Sequence, residues 1–135
     1  MQREMKEIMI VDDEIGIRAL LSDVLAGKGY NVTLAKDGED SLRQLKKKRF
    51  DLLVTDVNMP RLNGIELLRE MKRNGRKEKV ILMSGDSVDE SKLDKDIHPV
   101  FLRLKKPFGI NLFMKAVLSA LETGNSKSRR KRNAA

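Results

Sequence analysis

Five short apolar runs, each closed by polar or charged residues, alternate with amphipathic stretches along this 135-residue chain. Ile8-Met9-Ile10-Val11 runs into Asp12-Asp13, and Val32 to Leu34 forms a second run. Leu52 to Thr55 stops at Asp56, and Val80 to Met83 stops at Ser84-Gly85. Val100 to Leu104 stops at Lys105-Lys106-Pro107. Between the runs, Ile17, Leu20, Leu21, Val24 and Leu25 fall at helical spacing, with Gly27 and Gly29 as stop signals. A weaker helix over 39–48 carries Leu42 and Leu45, and Ile65, Leu68 and Met71 follow a loop punctuated by Pro60, Asn63 and Gly64. A polar helix is expected over 86–96. A final one over 109–122 places Ile110, Phe113, Met114, Val117, Leu118 and Leu121 on one face. Strands alternating with helices predict an α/β fold, (βα)5, doubly wound around a parallel sheet with right-handed crossovers. Nearly all-apolar strands fit, because a parallel strand is covered on both faces.

The length suits one domain. Without Cys there are no disulfides, iron–sulfur clusters or thiolate zinc sites, and a single His, His98, excludes multi-His metal centres. The apolar runs fall far short of the roughly 20 residues of a membrane helix, and residues 1–7 lack a secretory pattern, so a cytoplasmic location is expected. The net charge of +8 is unevenly placed. Residues 124–135 hold Lys127, Arg129, Arg130, Lys131 and Arg132 with no acid, which leaves +3 for residues 1–123. The expected organisation is a domain over 1–123 and a basic, disordered tail over 124–135. Nucleic-acid binding would also need a basic surface on the folded part, and the 4% aromatic content supplies little for stacking on bases.

Ligands of open parallel sheets sit beyond the carboxyl ends of the strands. There the first strand delivers Asp12 and Asp13, the third Asp56, the fourth Ser84 and the fifth Lys106. Clustered carboxylates repel, and a hard divalent cation with oxygen ligands, Mg²⁺ above all, resolves the repulsion. Ser84 could hydrogen-bond a phosphoryl oxygen, Lys106 could neutralise another, and a carboxylate can become an aspartyl phosphate. Asp56 is the better nucleophile, since the adjacent pair Asp12-Asp13 suits metal holding. Each residue alone has an ordinary reading: Asp12 or Asp13 as a helix cap, Ser84 as a turn hydroxyl, Asp56 as a loop start, Lys106 as a solvated cation. Convergence at one sheet edge favours the functional reading, Mg²⁺-dependent phosphoryl chemistry. His98-Pro99 reads as a loop before the fifth strand.

Val11-Asp12-Asp13-Glu14, Asp56-Val57-Asn58-Met59-Pro60 with Gly64, Ser84-Gly85 and Lys105-Lys106-Pro107-Phe108 resemble the receiver domain of two-component response regulators, stand-alone CheY-like members included. The likeness spans residues 5–122, with Asp56 44 residues after Asp12, Ser84 28 after Asp56 and Lys106 22 after Ser84. It implies the flavodoxin-like strand order 2-1-3-4-5. It also implies that Asp56 accepts a phosphoryl group from a sensor histidine kinase or a phosphotransfer protein. Asp13 and Asp56 would ligate Mg²⁺ by side chain, Asp12 through water and Asn58 through its backbone carbonyl. Lys106 and Ser84 would contact the phosphoryl group, and Lys106-Pro107 would be cis. Asn58 and Asp86 match positions that tune autodephosphorylation, hinting at a short-lived phosphoryl state.

One departure concerns the output switch. The family's aromatic residue three positions before the active-site Lys is Arg103 here, and its small pair before the fifth strand is replaced by Ile97-His98-Pro99. Arg103 is either a recognition residue for an acidic partner or an ordinary exposed strand residue. Three classes of function compete. The expectation is a non-enzymatic phosphoacceptor switch, a single-domain regulator that signals to a downstream protein through the face of the fourth helix, fifth strand and fifth helix. A receiver fragment of a longer regulator with a nucleic-acid-binding output is the alternative; within this chain residues 123–135 are too short for a helix-turn-helix, and nucleic acid is not expected as a partner except weakly through the tail. A Mg²⁺-dependent phosphohydrolase is disfavoured because Asn58 stands where such enzymes want a second Asp and no cap domain is expected, and a nucleotide-binding fold is disfavoured because no G-x-G-x-x-G or P-loop motif follows any strand.

Overall fold

The computed structural model describes residues 5–85, 91, 93 and 96–123. Its elements are β1 (Glu7–Val11), α1 (Ile15–Gly27), β2 (Asn31–Ala35), α2 (Gly38–Lys47), β3 (Leu52–Asp56), α3 (Gly64–Arg73), β4 (Lys79–Ser84), β5 (Leu102–Lys105) and α4 (Ile110–Thr123). All strand pairs are parallel, and the sheet order is β2-β1-β3-β4-β5. This is the doubly wound order expected from the resemblance. The polar helix expected over 86–96 and the tail over 124–135 lie outside the described residues, apart from residues 91, 93 and 96.

Alternation along the strands sorts side chains into two cores. Ile8, Ile10, Leu52, Val54, Ile81 and Met83 face α1 and α4, where Leu21, Leu25, Phe113 and Val117 pack on them. Met9, Val11, Leu53, Val80 and Leu82 face α2 and α3, meeting Leu45, Leu68 and Met71. The three central strands are therefore apolar on both sides. β5 begins two residues later than its apolar run suggests. Pro99 has no N–H to give a ladder, and the exposed Phe101 donates its own to the Val80 carbonyl as the chain arrives. Among the described residues, no helix is long and apolar enough to cross a membrane.

The register brings the strand ends level. Val11 lies beside Thr55, Asp56 beside Met83 and Ser84 beside Lys105. Two glycines press helix starts against the loop that follows β3. A Cβ on Gly64 would lie 2.4 Å from the Asp56 carbonyl oxygen, and one on Gly38 would lie 2.2 Å from that of Leu62. Asp37 caps α2 by accepting the Asp40 N–H, and Asn63 with Glu66 forms a complete capping box on α3. The Lys106-Pro107 bond is cis.

Candidate functional site

The carboxyl edge of the sheet gathers Asp12, Asp13 and Asp56, each offering an oxygen within 4.8 Å of the others. Asp12 and Asp56 are buried and Asp13 is exposed. An all-oxygen donor set of this charge suits a hard divalent ion such as Mg²⁺ and disfavours softer metals. Asp12 accepts the Glu14 N–H at 2.9 Å on one oxygen and the Lys106 ammonium at 3.0 Å on the other. Asp56 accepts the Val57 N–H at 2.8 Å and the same ammonium at 3.1 Å. Lys106 reaches this position because its own N–H is fixed on the Ser84 carbonyl at 2.7 Å. The Glu14 carboxylate lies 3.7 Å from the ammonium. Arg18, one turn into α1, donates to the Asp12 carbonyl and holds the β1–α1 turn down.

Burial pushes the Asp56 carboxyl above its ordinary range, and the neighbouring Asp12 charge adds to this. Lys106 and the Val57 N–H pull against both. Burial pulls the Lys106 ammonium down, but Asp12 and Asp56 outweigh it and hold the group firmly protonated. The result is a poorly solvated carboxylate beside a fixed cation, a site in which an anionic oxygen can attack phosphorus and the developing charge meets a positive group.

Ser84 is buried at the end of β4. Asn58 is exposed two residues beyond Asp56, on a loop anchored by Gly64 N–H to the Val57 carbonyl and Val57 N–H to the Met83 carbonyl. Arg103 is exposed on β5 and lines a surface cleft with Leu93, Ile97 and Pro99, remote in sequence from the acidic cluster. Asp86 lies outside the described residues. The structure thus joins Asp12, Asp13, Asp56 and Lys106 directly, with Ser84 on the adjoining strand end. Asp12 is not a helix cap: Glu14 holds that position on α1 and makes no side-chain cap bond.

Two arrangements escaped the sequence reading. Arg61, in the left-handed region at φ 67°, donates from Nε to the buried Asp37 carboxylate at 2.7 Å and latches the loop after Asp56 to the start of α2. Asp37-Gly38 before a helix signals a cap, but no pattern pairs it with an Arg 24 residues away. The second is His98. It is buried, with a ring nitrogen on the Glu78 carbonyl and its backbone N–H on that of Leu68. Glu78 in turn binds the Arg76 guanidinium and the Phe50 N–H.

The family profile described as "Response regulator receiver domain" matches residues 8–118. Sporulation initiation phosphotransferase F of Bacillus subtilis is 38% identical over 91 residues, covering 64% of this chain and 73% of that protein. Longer transcriptional regulatory proteins are 36% identical over 88 residues, and the chain spans about a fifth of their length (20%). The Vibrio cholerae chemotaxis protein CheY4 structure superposes with a TM-score of 0.79 at 29% identity, covering 87% of this chain and 100% of that one. The Thermotoga maritima response regulator TrrA, in complex with Mg(2+)-BeF, superposes with a TM-score of 0.75 at 30% identity, covering 87% and 100%.

Proposed function

Because this chain belongs to the response regulator receiver domains of two-component systems, we propose that it is a phosphorylation switch whose acceptor is Asp56. The supporting observation is the shared ammonium: Lys106 lies within 3.1 Å of Asp56 and 3.0 Å of Asp12, at the edge where three carboxylates converge. A sensor histidine kinase or phosphotransfer protein is the donor. An Asp56 carboxylate oxygen attacks phosphorus, and the N–P bond of the donor phosphohistidine breaks. The imidazole leaves with that electron pair and takes up a proton. Lys106 neutralises the transferred group, and the Ser84 hydroxyl donates to one of its oxygens. Asp13, Asp56 and the Asn58 carbonyl would hold Mg²⁺, with Asp12 acting through water, and the bound ion would screen the carboxylates from the incoming phosphoryl oxygens.

Residues 1–123 form the receiver unit and 124–135 a basic extension. Phosphorylation shifts a two-state equilibrium and changes contacts with a downstream protein. Arg103 on β5 belongs to the contact face, and Asn58 and Asp86 tune the lifetime of the phosphoryl state. Incubation with acetyl phosphate, with and without Mg²⁺, tests the reading by intact mass. The wild type should gain one phosphoryl group only with Mg²⁺, and Asp56→Asn should gain none. A wild type that stays unmodified with Mg²⁺ would overturn it.

A further inference from the structure

Every strand of a parallel sheet starts at the same edge, and in this chain that edge is cationic. Three adjoining surface clefts lie there. Arg49, Arg76 and Lys77 line the first, Arg76, Lys77, Lys79 and Phe101 the second, and Lys6, Lys77 and Lys79 the third. Lys77 is common to all three, so the cations form one continuous surface. The acids within it are already engaged. Glu78 is buried against Arg76, and Asp51 accepts the Glu7 N–H. Lys6, Arg49 and Lys77 form no ion pair among the described residues, and Arg49 and Lys77 are exposed. Arg76 extends the patch to the end of α2, where it donates to the Leu45 and Lys48 carbonyls. Ala120 and Leu121, at the end of α4, line the third cleft. The described residues end at Thr123 on this edge, and residues 124–135 follow in the sequence with five basic residues and no acidic one.

We propose that this edge is an electrostatic docking surface for duplex nucleic acid, which it grips by the phosphate backbone without reading sequence. Lys6, Arg49, Arg76, Lys77 and Lys79 outnumber the acids Asp51 and Glu78 in these clefts, an excess of positive charge that suits phosphodiester oxygens, and release of condensed counterions drives such binding. The duplex form follows from the aromatic content. Phe101 is the exposed ring lining the clefts, and the Lys79 ammonium covers it at 4.7 Å, so unpaired bases find no open stacking platform. An anionic lipid surface presents phosphates of the same charge, and the vesicle arm of the test separates it from the duplex. The edge is also opposite Asp56, so docking and phosphorylation do not compete for space.

The test is fluorescence anisotropy of a labelled mixed-sequence duplex of about 20 base pairs with the full 135-residue chain across a salt series. Binding should weaken steeply with salt. The triple variant Lys6→Glu, Arg49→Glu, Lys77→Glu should bind at least about tenfold more weakly at low salt, with the slope of log K against log salt reduced by about two to three. Deleting residues 124–135 should leave a weaker, still salt-dependent affinity that the triple variant removes. Circular dichroism and a thermal melt show whether the triple variant is folded. If it is not, Lys77→Gln alone should lower the slope by about one. Asp56→Asn should bind as the wild type does, so this test is independent of the phosphoacceptor assignment. The proposal fails if the wild type ignores the duplex or the charge reversals leave binding unchanged. It fails equally if phosphatidylserine vesicles or polyglutamate hold the chain at salt concentrations where the duplex does not.

Discussion

Lys106 divides one positive charge between two buried carboxylates, and that division sets the pH behaviour of the site. Asp56 has a raised pKa in the fold, so the folded state takes up a proton there before the unfolded chain does. Its ionised form therefore weakens the fold at neutral pH, and the weakening disappears as pH falls through the raised value. Lys106→Gln removes the cation and pushes Asp56 further up. The variant should melt below the wild type at neutral pH in metal-free buffer, and the gap should narrow on acidification. Thermal melts over a pH series check this; a gap that widens would place the stabilising charge elsewhere. Mg²⁺ should stabilise the wild type by about 1.4 kcal/mol at ten times its Kd, and Asp56→Asn by less at the same concentration. Gly64 shows the same economy of space. Gly64→Ala would drive a Cβ into the Asp56 carbonyl, so it should lower Tm and slow acetyl phosphate labelling together.

At the scale of elements, the loop after β3 is held from both ends. The Asn63–Glu66 capping box fixes the start of α3, and Asn63→Ala should cost about 1 kcal/mol, read from urea unfolding. The Arg61–Asp37 pair fixes the middle of the loop on α2. On the far side, Arg76 clamps α2 to β4 by bonding Glu78 and the Leu45 and Lys48 carbonyls, and Glu78 keeps its charge well because of it. Burial raises the Glu78 carboxyl, but Arg76 and the Phe50 N–H bring it below its ordinary value. Arg76→Ala strands that buried charge and should cost about 3 kcal/mol. The contrast between these features explains what could be read from residues alone. Strand runs, their polar stops and the Asp12, Asp56, Ser84 and Lys106 positions are local signals, and the parallel topology turns order along the chain into proximity in space. The Arg61 latch, the Arg76 clamp and the burial of His98 join residues 20 to 31 positions apart, two of them through backbone carbonyls, with no periodicity to announce them. The late start of β5 depended on Pro99 and an edge position, which hydrophobicity does not register.

Across the whole molecule, β1, β3 and β4 are paired on both sides and buried on both faces, while β2 and β5 are edges. Amide hydrogen exchange should be slowest in β1 and β3, approaching the rate of global unfolding, and faster in β5, where only Leu104 is buried. Early exchange of β1 would contradict a single cooperative sheet. The direction shared by all five strands has a broader consequence. Among the described elements, the turns from strand to helix lie at the carboxylate edge and those from helix to strand at the cationic edge, so these two sets share no loop. Changes to one set of loops leave the other set's residues in place. Lineages carrying this fold can rewrite where the molecule is tethered while inheriting its chemistry unedited, as an envelope can be readdressed without opening the letter.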